Sequence, residues 1–163
     1  MRILRFIVDK LPQSIRKMLL NSHSLYFLWS LFSNYVAGSK LRFKTDEIDK
    51  GFSQTNENLE CAKYLPEMFG NYIDVGAGQP VYGSNTFFLY KRRWNGIAID
   101  PIENNKRLFN ILRRRDVFQK TLIGTQGKGV WFYEVVPYLY STTSTDFVTN
   151  LIAKDGKIKS EIF

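Results

Sequence analysis

The chain has 163 residues, with 44% apolar and 15% aromatic content, which excludes an intrinsically disordered protein and is enough for one domain with a substantial core. Its single cysteine, Cys61, excludes an internal disulfide and favours a reducing, cytoplasmic compartment. The net charge of +8 is concentrated in residues 1–44, where eight lysines and arginines face one acid, Asp9.

The sequence predicts a basic, amphipathic helical segment over residues 1–44 and an α/β domain over residues 45–163. Leu4, Ile7 and Leu11 recur at helical spacing among cations, and LYFLWSLF adds an aromatic and aliphatic run. Two interpretations stay open: a helical subdomain that packs on its own core, and a surface that binds anionic lipid at the membrane periphery. Polar residues interrupt the apolar run, so we expect no spanning helix, and YVAGSK is a poor signal-peptide cleavage site.

Helices and strands alternate after residue 45. NENLECAKYLPEMF places Leu59, Ala62, Leu65 and Phe69 at helical intervals, and NYIDV is a strand. A helix through TFFLYKRRW, a strand at IAID, a helix at ENNKRLFNILRRR and a strand at FQKTLIG follow. This order predicts an α/β fold with a parallel, Rossmann-like sheet. Beyond Gly124, VWFYEVV predicts a further strand, and STTSTDFVTNLIAKDG predicts a polar loop that enters a short helix.

The stretch DVGAG follows the first predicted strand, at the edge where parallel α/β sheets bind ligands. Gly76 and Gly78 allow backbone conformations and a close approach that a Cβ would obstruct, and Asp74 offers an acceptor for an amino group. Asp100 ends the second strand 24 positions after Gly76, close to the offset of about 20 residues at which a carboxylate meets a ribose diol. The pattern favours a ligand that contains a ribose.

Dinucleotide binding is the competing interpretation. The G-x-G-x-x-G fingerprint requires a third glycine where this chain has Val81, and QPVYGS displaces the start of the helix. A cofactor with a ribose but no phosphate, such as S-adenosylmethionine, tolerates that loss. A nicotinamide-dependent oxidoreductase and a purely structural turn remain as alternatives.

Three stretches, FSQTNENL, YIDVGAGQPVYGSNTFFLYKRRWNGIAIDP and LFNILRRRDV, resemble the FkbM-type S-adenosylmethionine-dependent methyltransferases. The resemblance covers about Gly51 to Phe147. It implies a class I methyltransferase fold and O-methylation of a saccharide or another hydroxyl-bearing metabolite. The cofactor-binding residues that it implies are Asp74, Gly76, Ala77, Gly78, Asn85, Thr86, Asp100 and Pro101.

Two features depart from the family pattern. Relatives tend to read Ser-Gln-x-Gly-Glu-Asp where residues 53–58 read SQTNEN. The family domain also continues into a further strand that is missing here, so we expect a sheet truncated after the third or fourth strand. Such a sheet would expose an edge and an apolar face and would favour self-association. A non-catalytic module derived from a methyltransferase is the alternative function.

The sequence identifies no catalytic base and predicts no metal site. Tyr138, Tyr140 and residues 141–145 are candidates for an acceptor pocket, or simply polar loop residues. Basic triplets at residues 91–93 and 113–115 end predicted helices, where cations complement the helix dipole. We interpret both triplets as solvated helix ends and expect no nucleic-acid partner.

Overall fold

A computed structural model describes residues 12–15, 22–40, 53, 57–65, 69–124, 129–135, 141–152 and 158–162. The predicted helix around Leu4, Ile7 and Leu11, and the predicted domain boundary after residue 44, lie outside these residues. The described chain belongs to two compact units, one of Phe32–Ile123 and one of Met1–Leu31 with Gly124–Phe163. The helices are α1 (His23–Lys40), α2 (Glu57–Tyr64), α3 (Phe87–Lys91), α4 (Glu103–Leu112) and α5 (Thr145–Ile152); the strands are β1 (Asn71–Val75), β2 (Asn95–Ile99), β3 (Val117–Gln119), β4 (Trp131–Val135) and β5 (Ile158–Ile162).

A parallel sheet with the strand order β1-β2-β3 organises the first unit. In its register, Ile73 lies opposite Ile97, which in turn lies opposite Val117. The connection from β1 to β2 contains α3, and the connection from β2 to β3 contains α4, as parallel pairing requires. The predicted α/β class and parallel sheet are therefore confirmed, and the arrangement is compatible with a Rossmann-like fold.

The fourth predicted strand forms, but in a different sheet. β4 pairs antiparallel with β5, so that Trp131 lies opposite Ile162 and Val135 opposite Ile158. Within the described chain the parallel sheet ends at β3, and the alternative in which a fourth strand extends it is wrong. Local alternation of apolar and polar residues predicted the strand correctly. It did not predict the partner strand, which lies more than twenty residues further along the chain.

Two predicted elements are shorter than their sequence patterns. α2 ends at Tyr64, because Leu65 precedes Pro66 and a residue before proline is driven out of the helical region. Phe69 is 78% exposed and does not belong to a buried helix face. β3 ends at Gln119, where the amide of Thr121 donates to the Gln119 carbonyl at 3.1 Å and turns the chain.

The helices of the first unit cover one face of the parallel sheet. The main core cluster contains five buried residues: Val81, Phe87, Phe88, Leu89 and Trp94. Ala37, Ala62 and Leu65 pack against it. A second cluster joins Ala98 of β2 to Phe109 of α4. In α4 the buried apolar residues are Leu108 and Phe109, whereas Ile111 is 44% exposed.

The opposite face of the sheet is open. Its side chains are apolar and 40 to 67% exposed: Ile73, Val75, Ile97 and Val117. The predicted exposure of an apolar face is therefore confirmed. A shallow depression on this face lies over the first residues of β1 and β2, away from the glycine loop at the other end of the strands.

The second unit contains the β4-β5 pair and α5. Tyr133 and Thr142 exchange two backbone hydrogen bonds, at 2.8 and 3.1 Å, beside this pair. Among the candidates for an acceptor pocket, Ser141 accepts a hydrogen bond from the Val135 amide at 3.0 Å and so has a structural role. Tyr138 and Tyr140 lie outside the described residues. No helix among the described residues is long and apolar enough to cross a membrane.

Candidate functional site

The glycine loop leaves β1 and turns over the end of β2. The amides of Gly76 and Ala77 donate to the Ile99 carbonyl at 2.9 and 3.2 Å, which fastens the loop to the neighbouring strand. Gly76 and Gly78 adopt φ values of 71° and 59°, a left-handed conformation that costs other residues about 1–2 kcal/mol. A Cβ at Gly76 would meet no atom within 4 Å, so backbone conformation, and not crowding, explains this glycine.

Asp100 fixes the far side of the loop from the end of β2. Its Oδ2 accepts the Gly78 amide at 3.1 Å, and its Oδ1 accepts the Ile102 amide at 2.9 Å and Asn105 Nδ2 at 3.0 Å. Burial raises the pKa of Asp100, although these three donors oppose the shift. An ionised carboxylate has about four acceptor positions. Asp100 therefore keeps little capacity for ribose hydroxyls unless Gly78 moves away.

Asp74 has a more open carboxylate. Its Oδ2 accepts the Thr86 hydroxyl at 2.6 Å, and within the described chain Oδ1 has no hydrogen-bond partner. Burial raises the pKa of Asp74, while the Thr86 hydrogen bond and the charge of Arg113 oppose the rise. Asp74 can thus offer a half-buried anionic oxygen to a ligand donor beside the glycine loop.

The remaining predicted site residues occupy less direct positions. Ala77 is buried against Ala98 and Phe109, and Pro101 is half-buried after β2. Asn85 is exposed, and no described hydrogen bond joins it to the other predicted site residues. Ser84 Oγ accepts the Phe87 amide at 3.1 Å at the start of α3, whereas Thr86 at the N-cap position makes no capping hydrogen bond with its side chain.

Arg113 lies under the loop, and the sequence interpretation missed it. Its side chain is completely buried and paired with Asp116, with 2.6 Å between Nε and Oδ2. The guanidinium donates to the Pro80 carbonyl at 3.1 Å, Ser84 Oγ at 3.2 Å, Thr86 Oγ1 at 3.1 Å and the Tyr72 hydroxyl. One cation thus joins the loop, the start of α3 and the strand that carries Asp74.

Aromatic rings enclose the same guanidinium. Its carbon lies 4.7 Å from the ring centre of Phe109, 5.4 Å from Tyr90 and 5.7 Å from Tyr72. Burial raises the pKa of the Tyr72 hydroxyl above its usual value, although Arg113 opposes this. The Tyr72 hydroxyl donates to Asp116 at 2.8 Å, so the buried network includes both signs of charge.

The prediction that both basic triplets are solvated helix ends is wrong for Arg113. Arg92 is also only partly exposed, since its side chain donates to the Leu65 carbonyl at 2.8 Å and lies over the Phe88 ring. The spacing of Arg113 and Asp116 contained a usable signal, because oppositely charged residues three apart at a helix end can pair.

Helix α1 reaches the loop through Asn34, a second residue that the sequence interpretation missed. Asn34 is fully buried; its Oδ1 accepts the amides of Val81 and Tyr82 at 3.0 and 2.9 Å, and its Nδ2 donates to Gln79 Oε1 at 3.0 Å. This part of α1 therefore packs against the glycine loop.

Ser53 lies beside the loop as well. Ser53 forms a parallel bridge with Gly83, and Ser53 Oγ donates to Asn58 Oδ1 at 2.6 Å. Asn58 Nδ2 is buried without a hydrogen-bond partner in the described chain. Asn58 therefore presents an unused donor near the loop.

Among the described residues, no cluster of three or more histidine, cysteine, aspartate and glutamate side chains could hold a metal ion. No protein-family model, curated protein or solved structure matches this chain. Geometry and the motif resemblance therefore provide the basis for a functional proposal.

Proposed function

We propose that this chain binds S-adenosylmethionine at the glycine loop and transfers its methyl group to a hydroxyl of a saccharide or another hydroxyl-bearing metabolite. The observation that carries the proposal is the position of Asp74. It is the penultimate residue of β1 and has one carboxylate oxygen open, next to a left-handed glycine turn; Asp100 follows the neighbouring strand β2. The resemblance to FkbM-type methyltransferases supports the same assignment.

The residues present can fit this cofactor in distinct roles. Asp74 would accept a hydrogen bond from the amino group of the cofactor. Gly76 and Gly78 would let the cofactor approach the loop backbone closely. Asp100 would accept from the ribose once the Gly78 amide is displaced from Oδ2. Bound S-adenosylmethionine would supply an electrophilic methyl group for in-line attack by the acceptor hydroxyl, where positioning provides much of the acceleration.

Nicotinamide dinucleotide binding is less favoured because of Asn34. A dinucleotide site presents free loop amides to the pyrophosphate at the start of the helix. Here the amides of Val81 and Tyr82 already donate to Asn34 Oδ1, and Val81 is 3% exposed. The amides of Val81 and Tyr82 therefore already have a protein acceptor and are not free to bind a phosphate.

Calorimetric titration with S-adenosylmethionine, S-adenosylhomocysteine and NAD tests the proposal. We expect both adenosyl compounds to bind and NAD not to bind. Preferential NAD binding would favour the oxidoreductase, and failure of all three would leave the loop a structural turn. Adenosyl binding without transfer of a labelled methyl group to a panel of saccharides would favour the non-catalytic module.

Asp74→Asn is the sharpest variant, because Asp100→Ala would also leave three buried donors unpaired. Loss of a hydrogen bond to a charged group should weaken S-adenosylmethionine binding by about 1.5–3 kcal/mol. Asp146→Asn removes an exposed carboxylate in α5 and is the matched control. Equal affinities of the two variants in the same titration would remove Asp74 from the site.

The affinity should also depend on pH, since only ionised Asp74 attracts an ammonium group. Burial raises the pKa of Asp74, so binding should weaken as the pH falls, starting above the usual aspartate value of about 3.9. Asp74→Asn should lack this component. A wild-type affinity that rises on acidification would contradict the assigned pairing.

A further inference from the structure

Helix α1 has an inverted distribution of polar and apolar residues. The side chains that it buries are polar: Ser30 is 1% exposed, Ser33 8% and Asn34 fully buried. Three large apolar or aromatic side chains, by contrast, are mostly in solvent, with exposed fractions of 58% for Leu28, 55% for Phe32 and 65% for Tyr35. A helix that packs on a protein core normally buries its apolar side.

The exposed side chains form one continuous stripe. Positions 28, 32 and 35 are separated by four and three residues, so they lie on one side of a helix with 3.6 residues per turn. Ser30, Ser33 and Asn34 lie on the other side. We call Leu28, Phe32 and Tyr35 the outer stripe of α1.

Asn34 holds the helix in this rotation. Turning α1 to bury the outer stripe would break the hydrogen bonds from Val81 and Tyr82 to Oδ1 and the hydrogen bond from Nδ2 to Gln79. Each buried donor left without an acceptor would cost free energy. The exposure of the stripe is therefore coupled to the integrity of the glycine loop.

Charge indicates what the outer stripe contacts. Residues 1–44 contain eight lysines and arginines against Asp9, a net charge of +7, and α1 itself contains no acid. An apolar and aromatic stripe in a strongly basic segment is complementary to a bilayer with anionic headgroups, where rings enter the interface and cations meet lipid phosphates. The aromatic stripe gives no specific reason to prefer an acidic or mixed-charge protein surface to a bilayer as the partner.

We propose that the outer stripe of α1 docks on an anionic membrane surface, which the net positive charge of residues 1–44 favours. The same helix would then contact the bilayer with one side and the glycine loop with the other, through Asn34. Docking through the outer stripe does not depend on which ligand occupies the loop. The outer stripe is the side of α1 that meets the lipid.

Co-sedimentation of the full chain with vesicles tests this. The protein should bind phosphatidylserine–phosphatidylcholine vesicles and bind pure phosphatidylcholine vesicles much less, with affinity falling as salt increases. The variant Leu28→Ser/Phe32→Ser/Tyr35→Ser should lose affinity at least about tenfold, because it removes the apolar contact. Ile73→Ser/Ile97→Ser/Val117→Ser removes a comparable exposed apolar patch from the open sheet face and should retain wild-type affinity.

Loss of binding by both triple variants, or equal binding to both vesicle types, would overturn the proposal. So would an outer-stripe variant that binds vesicles normally but converts an oligomer to a monomer in light scattering, since the stripe would then be a protein interface. A second measurement is less sensitive to misfolding. Brominated phosphatidylserine should quench the added fluorescence of Phe32→Trp more than that of Ile73→Trp, and equal quenching would exclude insertion of the stripe.

Discussion

The two faces of the parallel sheet have opposite chemistry and opposite burial. On the face that the helices cover, Tyr72 and Asp74 meet Arg113 and Asp116 in a buried network. On the other face, Ile73 and Val117 are 67% and 54% exposed. Tyr72 and Asp74 of β1 are thus more buried than Ile73 and Val75.

This contrast shows that apolar alternation along a strand locates the two faces but does not decide which face is covered. Parallel sheets generally have both faces covered, and their strands are correspondingly apolar on both. Here the helices pack on the side that carries the site residues, because Phe88, Leu89 and Phe109 supply apolar area that the strands do not. Helix α1 repeats the pattern, with a polar buried side and an apolar outer stripe.

Removing the central cation should have the largest effect. Arg113→Met leaves Asp116 buried and uncompensated, so the free energy of unfolding should fall by about 3–5 kcal/mol in urea denaturation. Arg114→Met changes the neighbouring exposed arginine and should stay within about 0.5 kcal/mol of wild type. A similar, small effect of both variants would mean that the network does not stabilise the covered face.

Removing the contact between α1 and the loop should have a smaller effect. Asn34→Ala deprives the amides of Val81 and Tyr82 of their acceptor, so stability should fall by about 1–3 kcal/mol. Asn110→Ala, at an exposed position of α4, is the matched control and should change stability little. Equal loss in the two variants would show that Asn34 does not fasten the loop.

The open face should give the smallest effect. Ile73→Thr keeps the branched side chain in β1 and should change the free energy of unfolding by no more than about 0.5 kcal/mol. Leu108→Ala, at a fully buried position of α4, should cost about 2–5 kcal/mol and calibrates the same denaturation experiment. A loss of several kcal/mol for Ile73→Thr would show that this face is covered in solution, for example by self-association.

The sequence alone predicted the order of helices and strands from Asn71 to Leu112 and the place of the glycine loop between them. These features are local: period-two and period-3.6 patterns select strand and helix, and glycine marks the left-handed turn. It also identified Asp74 and Asp100 as neighbours at one sheet edge, which the parallel register of β1 and β2 explains. Their ligand and the methyl acceptor remain predictions.

Only the tertiary structure decided which polar residues are buried and which strands pair. Arg113 stands in a run of three arginines, yet it alone enters the core because Pro80, Ser84 and Asp116 satisfy its donors there. Asn34 contacts Val81 across 47 positions of sequence. Local patterns do not identify distant partners such as Pro80, Ser84 and Val81, because the free energy of burying a charge or an amide depends on groups that only the folded chain brings within hydrogen-bonding distance.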